Sequence, residues 1–159
     1  YNIGMRTPPT AEDRQEEMLH SLQEQFERRI GRSWTTIVPR LTPEVLACLS
    51  ELEDPKIYGI NGKNQLVFGD GTVSPRTEGL NYLETKTHVR IKQLGLITQE
   101  ELELFKRELP YTAPFWLESG DRPQSAFCHF AGNTYVIESR SSSHDGYKTG
   151  TPRVFRLPL

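Results

Sequence analysis

Two apolar runs joined by an Asn-Gly turn constrain the fold of this chain more than any other feature. Residues 56–60 and 65–68 have the β-branched and aromatic character of strands, and residues 61–64 between them read Asn-Gly-Lys-Asn. An Asn-Gly pair between apolar runs predicts a β-hairpin, because both residues tolerate the backbone angles of a tight turn. The chain is therefore expected to contain an antiparallel pair of strands at this point.

The remaining strand-like segments lie in the C-terminal half. Residues 126–130 and 134–139 flank an Ala-Gly-Asn turn and predict a second hairpin, and residues 153–157 predict a last strand. The stretch 111–124 between the helices and this hairpin is punctuated by Pro and Gly. We expect it to be a surface loop whose Trp116 is anchored inwards.

Helices are predicted in the N-terminal half and between the hairpins. A long helix should follow Thr10 and end near Gly31, because one apolar stripe recurs every four residues: Met18, Leu22, Phe26 and Ile30. Further helix starts are predicted where a capping hydroxyl precedes helix-forming residues: Ser33, Thr42, Ser74 and Thr98. In the helix after Ser74 we expect a break near Thr85, Thr87 and His88, which are weak helix formers.

These elements predict an α+β fold in which N-terminal helices pack on an antiparallel sheet built from two hairpins plus a C-terminal strand. The 159 residues fit one domain. We expect an extended N-terminal segment over residues 1–10 and a single α+β domain over residues 11–159.

Composition narrows the classes of function. Nineteen basic and 21 acidic residues give a net charge of −2, which lacks the basic excess that binding to a nucleic acid backbone usually needs. No apolar run approaches the roughly 18 residues of a membrane span. Cys48 and Cys128 have apolar neighbours, as is typical of buried thiols in a reducing compartment. We therefore expect a cytoplasmic protein that binds neither nucleic acid nor membrane.

Residues 66–76 form the candidate site, because they combine an apolar strand, a lone acid between two glycines and a helix start. Free N–H groups at a helix start can receive an anion, and Arg76 can act as a bidentate partner. We predict that a small anionic ligand, or the acidic segment of a partner, binds here with help from the last strands. The residues assigned to this site are Asp70, Thr72, Ser74, Arg76, Arg140, His144, Arg153 and Arg156. A purely structural interpretation, with Asp70 holding its own loop as an Asx turn, also remains open.

Several motifs in the chain are familiar. An aromatic residue, an acid, a small residue, a hydroxyl and then Ser-Pro followed by a base occur within residues 68–76. In this and other motifs the chain resembles a bacterial family called domain of unknown function 4256, which brings no established activity. The family usually has an acid and a cysteine where this chain has Lys56 and Gly71. The further motifs that carry the resemblance lie at residues 25–27, 34–37, 54–55, 97–100, 116, 144–146 and 153–156.

Two alternatives to a binding module remain open. The first is a hydrolase, including a degenerate metal-dependent nuclease, because an acid ends a hairpin strand ahead of a helix and His144 could serve as a general base. Asp70-Gly71-Thr72 lacks the lysine that such a nuclease needs, and Lys56 stands in place of the second acid, so we favour binding over catalysis. The second is a protein-interaction or structural role. We expect no cofactor and no metal, since His20 and His129 lack the spacing of zinc ligands.

Overall fold

A computed structural model describes residues 8, 10–52, 54–70, 81–109, 114–118, 124–132, 134–141 and 153–159, with the backbone alone for Asp70, Gln124 and Ser141. Within these ranges the helices are α1 (Ala11–Arg29), α2 (Pro43–Ser50), α3 (Tyr82–Ile91) and α4 (Gln99–Phe105), and two short 3₁₀ turns cover Trp34–Thr36 and Val38–Arg40. The strands are β1 (Pro55–Ile60), β2 (Gln65–Asp70), β3 (Gly95–Leu96), β4 (Phe115–Trp116), β5 (Gln124–Ala131), β6 (Thr134–Ser141) and β7 (Arg153–Pro158).

The first sheet contains the predicted hairpin and the C-terminal strand. Its order is β1-β2-β7-β3, and every neighbouring pair is antiparallel. Helix α1 packs on β1, where Gln25 Oε1 accepts a hydrogen bond of 2.9 Å from the Ile57 N–H. Arg29 adds a bond of 3.1 Å from Nη1 to the Ile57 carbonyl. These side chains satisfy backbone groups of the outermost strand, so α1 is fixed in position against the sheet.

The α+β class is confirmed, and so are both hairpins and the last strand. The two hairpins, however, lie in separate sheets rather than in one, because β5 and β6 form a second sheet of order β4-β5-β6. Strand β4 falls inside the stretch expected to be a loop. Its Trp116 is fully buried, with ring centroids 5.9 Å from Tyr82 and 4.9 Å from Phe127. Packing of these aromatic rings therefore connects the second sheet to the rest of the core.

Helix α3 differs from the sequence prediction in its continuity. It begins after Asn81, whose side chain forms a capping box with Glu84, and it runs without a break through Thr85 and His88. The predicted break is wrong because Thr85 is fully buried beside Tyr82 and Val89, and packing outweighs the weak helix propensity of threonine. The predicted start at Ser74 lies outside the described residues.

Strands β2 and β7 are covered on both faces, as their alternating side chains show. Leu66 and Leu157 belong to a core cluster with Phe26 of α1. Val67 and Val154 belong to a second cluster with residues of α4. The first sheet therefore lies between α1 and α4. Successive residues of β7 point to opposite faces of this sheet. None of the helices in the described ranges is long and apolar enough to cross a membrane.

Candidate functional site

The described residues that were expected to form one site lie at different positions of the two sheets. Asp70 is the last residue of β2 and pairs with Pro55 of β1. Gly69 pairs with Val154, so Asp70 and Arg153 occupy the adjoining ends of β2 and β7. Arg153 is 2% exposed. The backbones of Asp70 and Arg153 therefore lie at the same end of the sheet, and their role in ligand binding stays a prediction.

Arg156 lies on the other face of β7 from Arg153, because the two residues are three positions apart in a strand whose side chains alternate. It pairs with Val67 rather than with the end of β2. A single ligand at the Asp70 end of the sheet therefore cannot engage both arginines.

Arg140 belongs to the second sheet. Its guanidinium lies 4.4 Å from the centroid of the Phe127 ring, and its Nη2 lies 3.1 Å from Glu138 Oε2. Glu138 also makes a contact of 3.0 Å with His129 Nε2. The hydrogen bonds to His129 and to Arg140 lower the pKa of the Glu138 carboxyl. This exposed cluster stabilises the face of one hairpin in the second sheet.

Four of the predicted site residues, Thr72, Ser74, Arg76 and His144, lie outside the described residues. The anion cradle at residues 70–76 and the hydrolase built on His144 therefore remain predictions. Among the residues that are described, no group of three or more His, Cys, Asp or Glu side chains is arranged to hold a metal ion.

A buried ion pair between Glu101 and Arg156 is the strongest polar feature of the described residues. Helix α4 begins with a capping box, in which Thr98 Oγ1 accepts from the Glu101 N–H and Glu101 Oε1 accepts from the Thr98 N–H. The capping sequence Thr-Gln-Glu-Glu is visible in the chain, but nothing local indicates that β7 supplies a cation to the same carboxylate. The pairing of Gly95 with Val154 and of Leu96 with Arg153 brings the start of α4 next to β7.

Glu101 accepts four hydrogen bonds although it is only 2% exposed. Arg156 Nε donates to Oε2 at 2.8 Å, Arg156 Nη2 donates to Oε1, and Asn61 Nδ2 donates to Oε2 at 3.1 Å. The fourth is the Thr98 N–H at 3.0 Å. Burial by itself would raise the pKa of Glu101, but the hydrogen bonds from Arg156, Thr98 and Asn61 lower it. The carboxylate is therefore held in its charged form.

Arg156 is held rigidly by the same network. Its Nη2 also donates to the Leu96 carbonyl at 2.9 Å, so three of its five N–H donors are used. The other two, on Nη1, have no partner among the described residues. Nη1 lies beside Gly95, where a Cβ would come within 2.8 Å of it. A glycine at this position leaves the room that the guanidinium needs.

A cavity of about 330 Å³ lies where the β1–β2 turn meets the start of α4. Among the described residues that line it, two side chains are cations and three are carboxylates. Arg156 is about a quarter exposed there, whereas Glu101 is almost completely covered. The polar residues that line the cavity include Asn61, Lys63, Glu100, Glu101, Glu118 and Arg156. We call this space the turn cavity.

A second cavity of about 380 Å³ lies beside the first turns of α1 and has Arg14 as its one charged residue among those described. Its lining contains fewer charged groups than that of the turn cavity.

The two cysteine thiols are not activated groups either. Burial raises the pKa of Cys128 to about 12 and also raises that of Cys48, so neither is activated as a nucleophile.

No family model, no curated protein sequence and no solved structure matches this chain. The resemblance to domain of unknown function 4256 therefore stays a prediction based on short motifs.

Proposed function

We propose that this protein is a binding module for a small anionic ligand, which Lys63 and the Nη1 donors of Arg156 hold in the turn cavity. The observation that carries the proposal is a guanidinium fixed by three hydrogen bonds, with two further N–H donors, in the wall of a cavity. A preorganised guanidinium favours binding, because little side-chain entropy is lost when a carboxylate or phosphate arrives.

The size and position of the turn cavity support a small ligand. Its volume of about 330 Å³ is at the lower end of the range for small-molecule sites. Lys63, in the adjacent turn, is exposed and adds a second cation that forms no ion pair with another described residue. Two cations that border one cavity can hold an anion between them.

Binding is favoured over catalysis because no histidine or cysteine is among the described residues that line the turn cavity. A hydrolase that works through a covalent intermediate needs a nucleophile with an adjacent base. The alternative hydrolase depends on Asp70, at the other end of the hairpin from the turn cavity, and on His144, which lies outside the described residues. We also propose a cytoplasmic location, in keeping with the two buried free thiols, and distant membership of the family that the motifs resemble.

The experiment is an NMR titration of the full chain with acetate, malonate and inorganic phosphate. We expect backbone amide shifts concentrated at residues 61–65 and 98–101. Lys63→Ala should weaken binding by about threefold or more, because one of two cations is lost. Lys106→Ala is the matched control, since Lys106 is an exposed lysine that pairs with Glu103 and does not line the cavity. Its affinity should equal that of the wild type.

Two outcomes would contradict the proposal. If no anion shifts these amides at concentrations up to about 10 mM, the turn cavity is not an anion site at any useful affinity. If the shifts instead cluster at residues 69–76, the ligand binds at the Asp70 turn and Arg156 has a structural role.

A further inference from the structure

We propose that the ligand of the turn cavity is a small zwitterion of the amino-acid type, whose carboxylate lies by Arg156 and Lys63 and whose ammonium group lies by Glu100. This inference rests on the proposed function, because it names the class of ligand for the same cavity.

The first argument is the balance of charge in the cavity wall. Glu101 and Arg156 neutralise one another. Glu118 accepts a bond of 3.1 Å from a lysine of α3 and is compensated in the same way. Two exposed groups remain, Lys63 and Glu100, and neither forms an ion pair with another residue of the described ranges. The wall therefore presents one cation and one carboxylate whose charges are not locally cancelled.

The second argument is the position of these two groups. Lys63 lies in the β1–β2 turn, and Glu100 lies in the first turn of α4. The Glu100 side chain lies against the turn, because a Cβ at Gly62 would come within 2.5 Å of its Oε1. The two opposite charges thus border the same opening, and both line the same cavity.

A ligand with one kind of charge uses only part of this arrangement. A simple anion would be attracted by Lys63 and Arg156 but repelled by Glu100, and a simple amine would meet the reverse. A molecule that carries both charges is attracted at both ends, and it is discriminated from either single-charge analogue by the group that the analogue leaves unpaired. The cavity volume suits a molecule of amino-acid size.

The test is isothermal titration calorimetry of the full chain with each proteinogenic amino acid in turn. For the tightest binder, the measurement is repeated with the matching carboxylic acid that lacks the amino group and with the matching amine that lacks the carboxylate. We expect one or more amino acids to bind with Kd below about 1 mM and about tenfold more tightly than either analogue. Glu100→Gln should remove most of that preference.

Glu103→Gln is the matched control, since Glu103 is an exposed carboxylate of the same helix that does not line the cavity. It should keep the preference of the wild type. An equal thermal midpoint for the two variants would show that Glu100→Gln acts on binding and not on folding.

The outcomes separate this inference from the proposed function. If simple carboxylates bind at residues 61–65 as tightly as the amino acids, the zwitterion is wrong and the anion-binding function stands. If amino acids, carboxylates and inorganic phosphate all fail to bind below about 10 mM, both are wrong. If amino acids bind but Glu100→Gln leaves the preference unchanged, the ammonium group is recognised elsewhere and the inference is overturned.

Discussion

Replacing Glu101 by glutamine should destabilise the protein by about 2–4 kcal/mol, less than the roughly 3–5 kcal/mol of a fully buried ion pair because the Arg156 side chain is a quarter exposed. The substitution changes neither the size nor the shape of the side chain. It removes the charge that compensates the Arg156 guanidinium within a site where Glu101 is 2% exposed. The loss of stability would therefore measure the electrostatic term and the hydrogen bonds together.

The hydrogen-bond geometry explains why glutamine cannot adapt. Each oxygen of Glu101 accepts from one Arg156 nitrogen and from one further donor, the Thr98 N–H at Oε1 and Asn61 Nδ2 at Oε2. A glutamine oxygen can replace only one of these oxygens, and its NH₂ group then faces two donors in either orientation. Each donor left without an acceptor in a buried site costs about 1–3 kcal/mol.

Urea unfolding followed by circular dichroism measures the unfolding free energy. In thermal unfolding, a chain of this size should lose about 2–4 °C in Tm for each kcal/mol of stability. The matched control is Glu103→Gln on the same helix, where the carboxylate is 61% exposed and pairs with Lys106 at 3.2 Å. That surface pair should contribute no more than about 0.5 kcal/mol. A loss of unfolding free energy below about 1 kcal/mol in Glu101→Gln, or one no larger than in the control variant, would contradict this expectation.

Three further predictions follow from buried groups. The pKa of Glu101 is lowered in the folded protein. The charged carboxylate therefore stabilises the fold above its unfolded pKa of about 4.3, and this stabilisation is lost as pH falls through the folded pKa. The difference in unfolding free energy between the wild type and Glu101→Gln should narrow below about pH 4. Gly69→Ala should cost about 1–3 kcal/mol in urea unfolding, since its Cβ would overlap the buried Tyr58 ring, whereas Gly62→Ala should cost less because an exposed carboxylate can move away. With a pKa of about 12, Cys128 should react with a disulfide reagent at pH 8 only as fast as the chain unfolds, measured with the other cysteine replaced by serine; fast labelling of the folded chain would contradict this.

Local sequence signals were sufficient for the hairpins and for α1, α2 and α4. The Asn-Gly turn, the four-residue apolar stripe and the capping residues each act over a few neighbours in the chain. Strands β3 and β4 contain two residues each, too few to produce a periodic pattern. Strand β3 forms by pairing with β7, which is distant in sequence, and β4 forms by pairing with β5, the next strand along the chain. Patterns within two residues predict neither strand, so the division into two sheets could not be predicted from them.

The candidate site illustrates the same limit. The alternation of side chains along a strand already implies that Arg153 and Arg156 face opposite sides, so their separation was accessible from the sequence. The pairing of Glu101 with Arg156 was not, because the two residues are 55 positions apart and meet only through the register of β3 on β7. The capping box at Thr98 was recognised as a helix start, and its carboxylate has a second role that only the fold reveals.

Crystals of the full chain grown or soaked with malonate would show directly where an anion binds. We expect malonate in the turn cavity, with a carboxylate oxygen about 3 Å from a nitrogen of Arg156 or Lys63. Malonate bound only at the Asp70 end of the first sheet, or an empty turn cavity at malonate concentrations well above the affinity measured in solution, would contradict it.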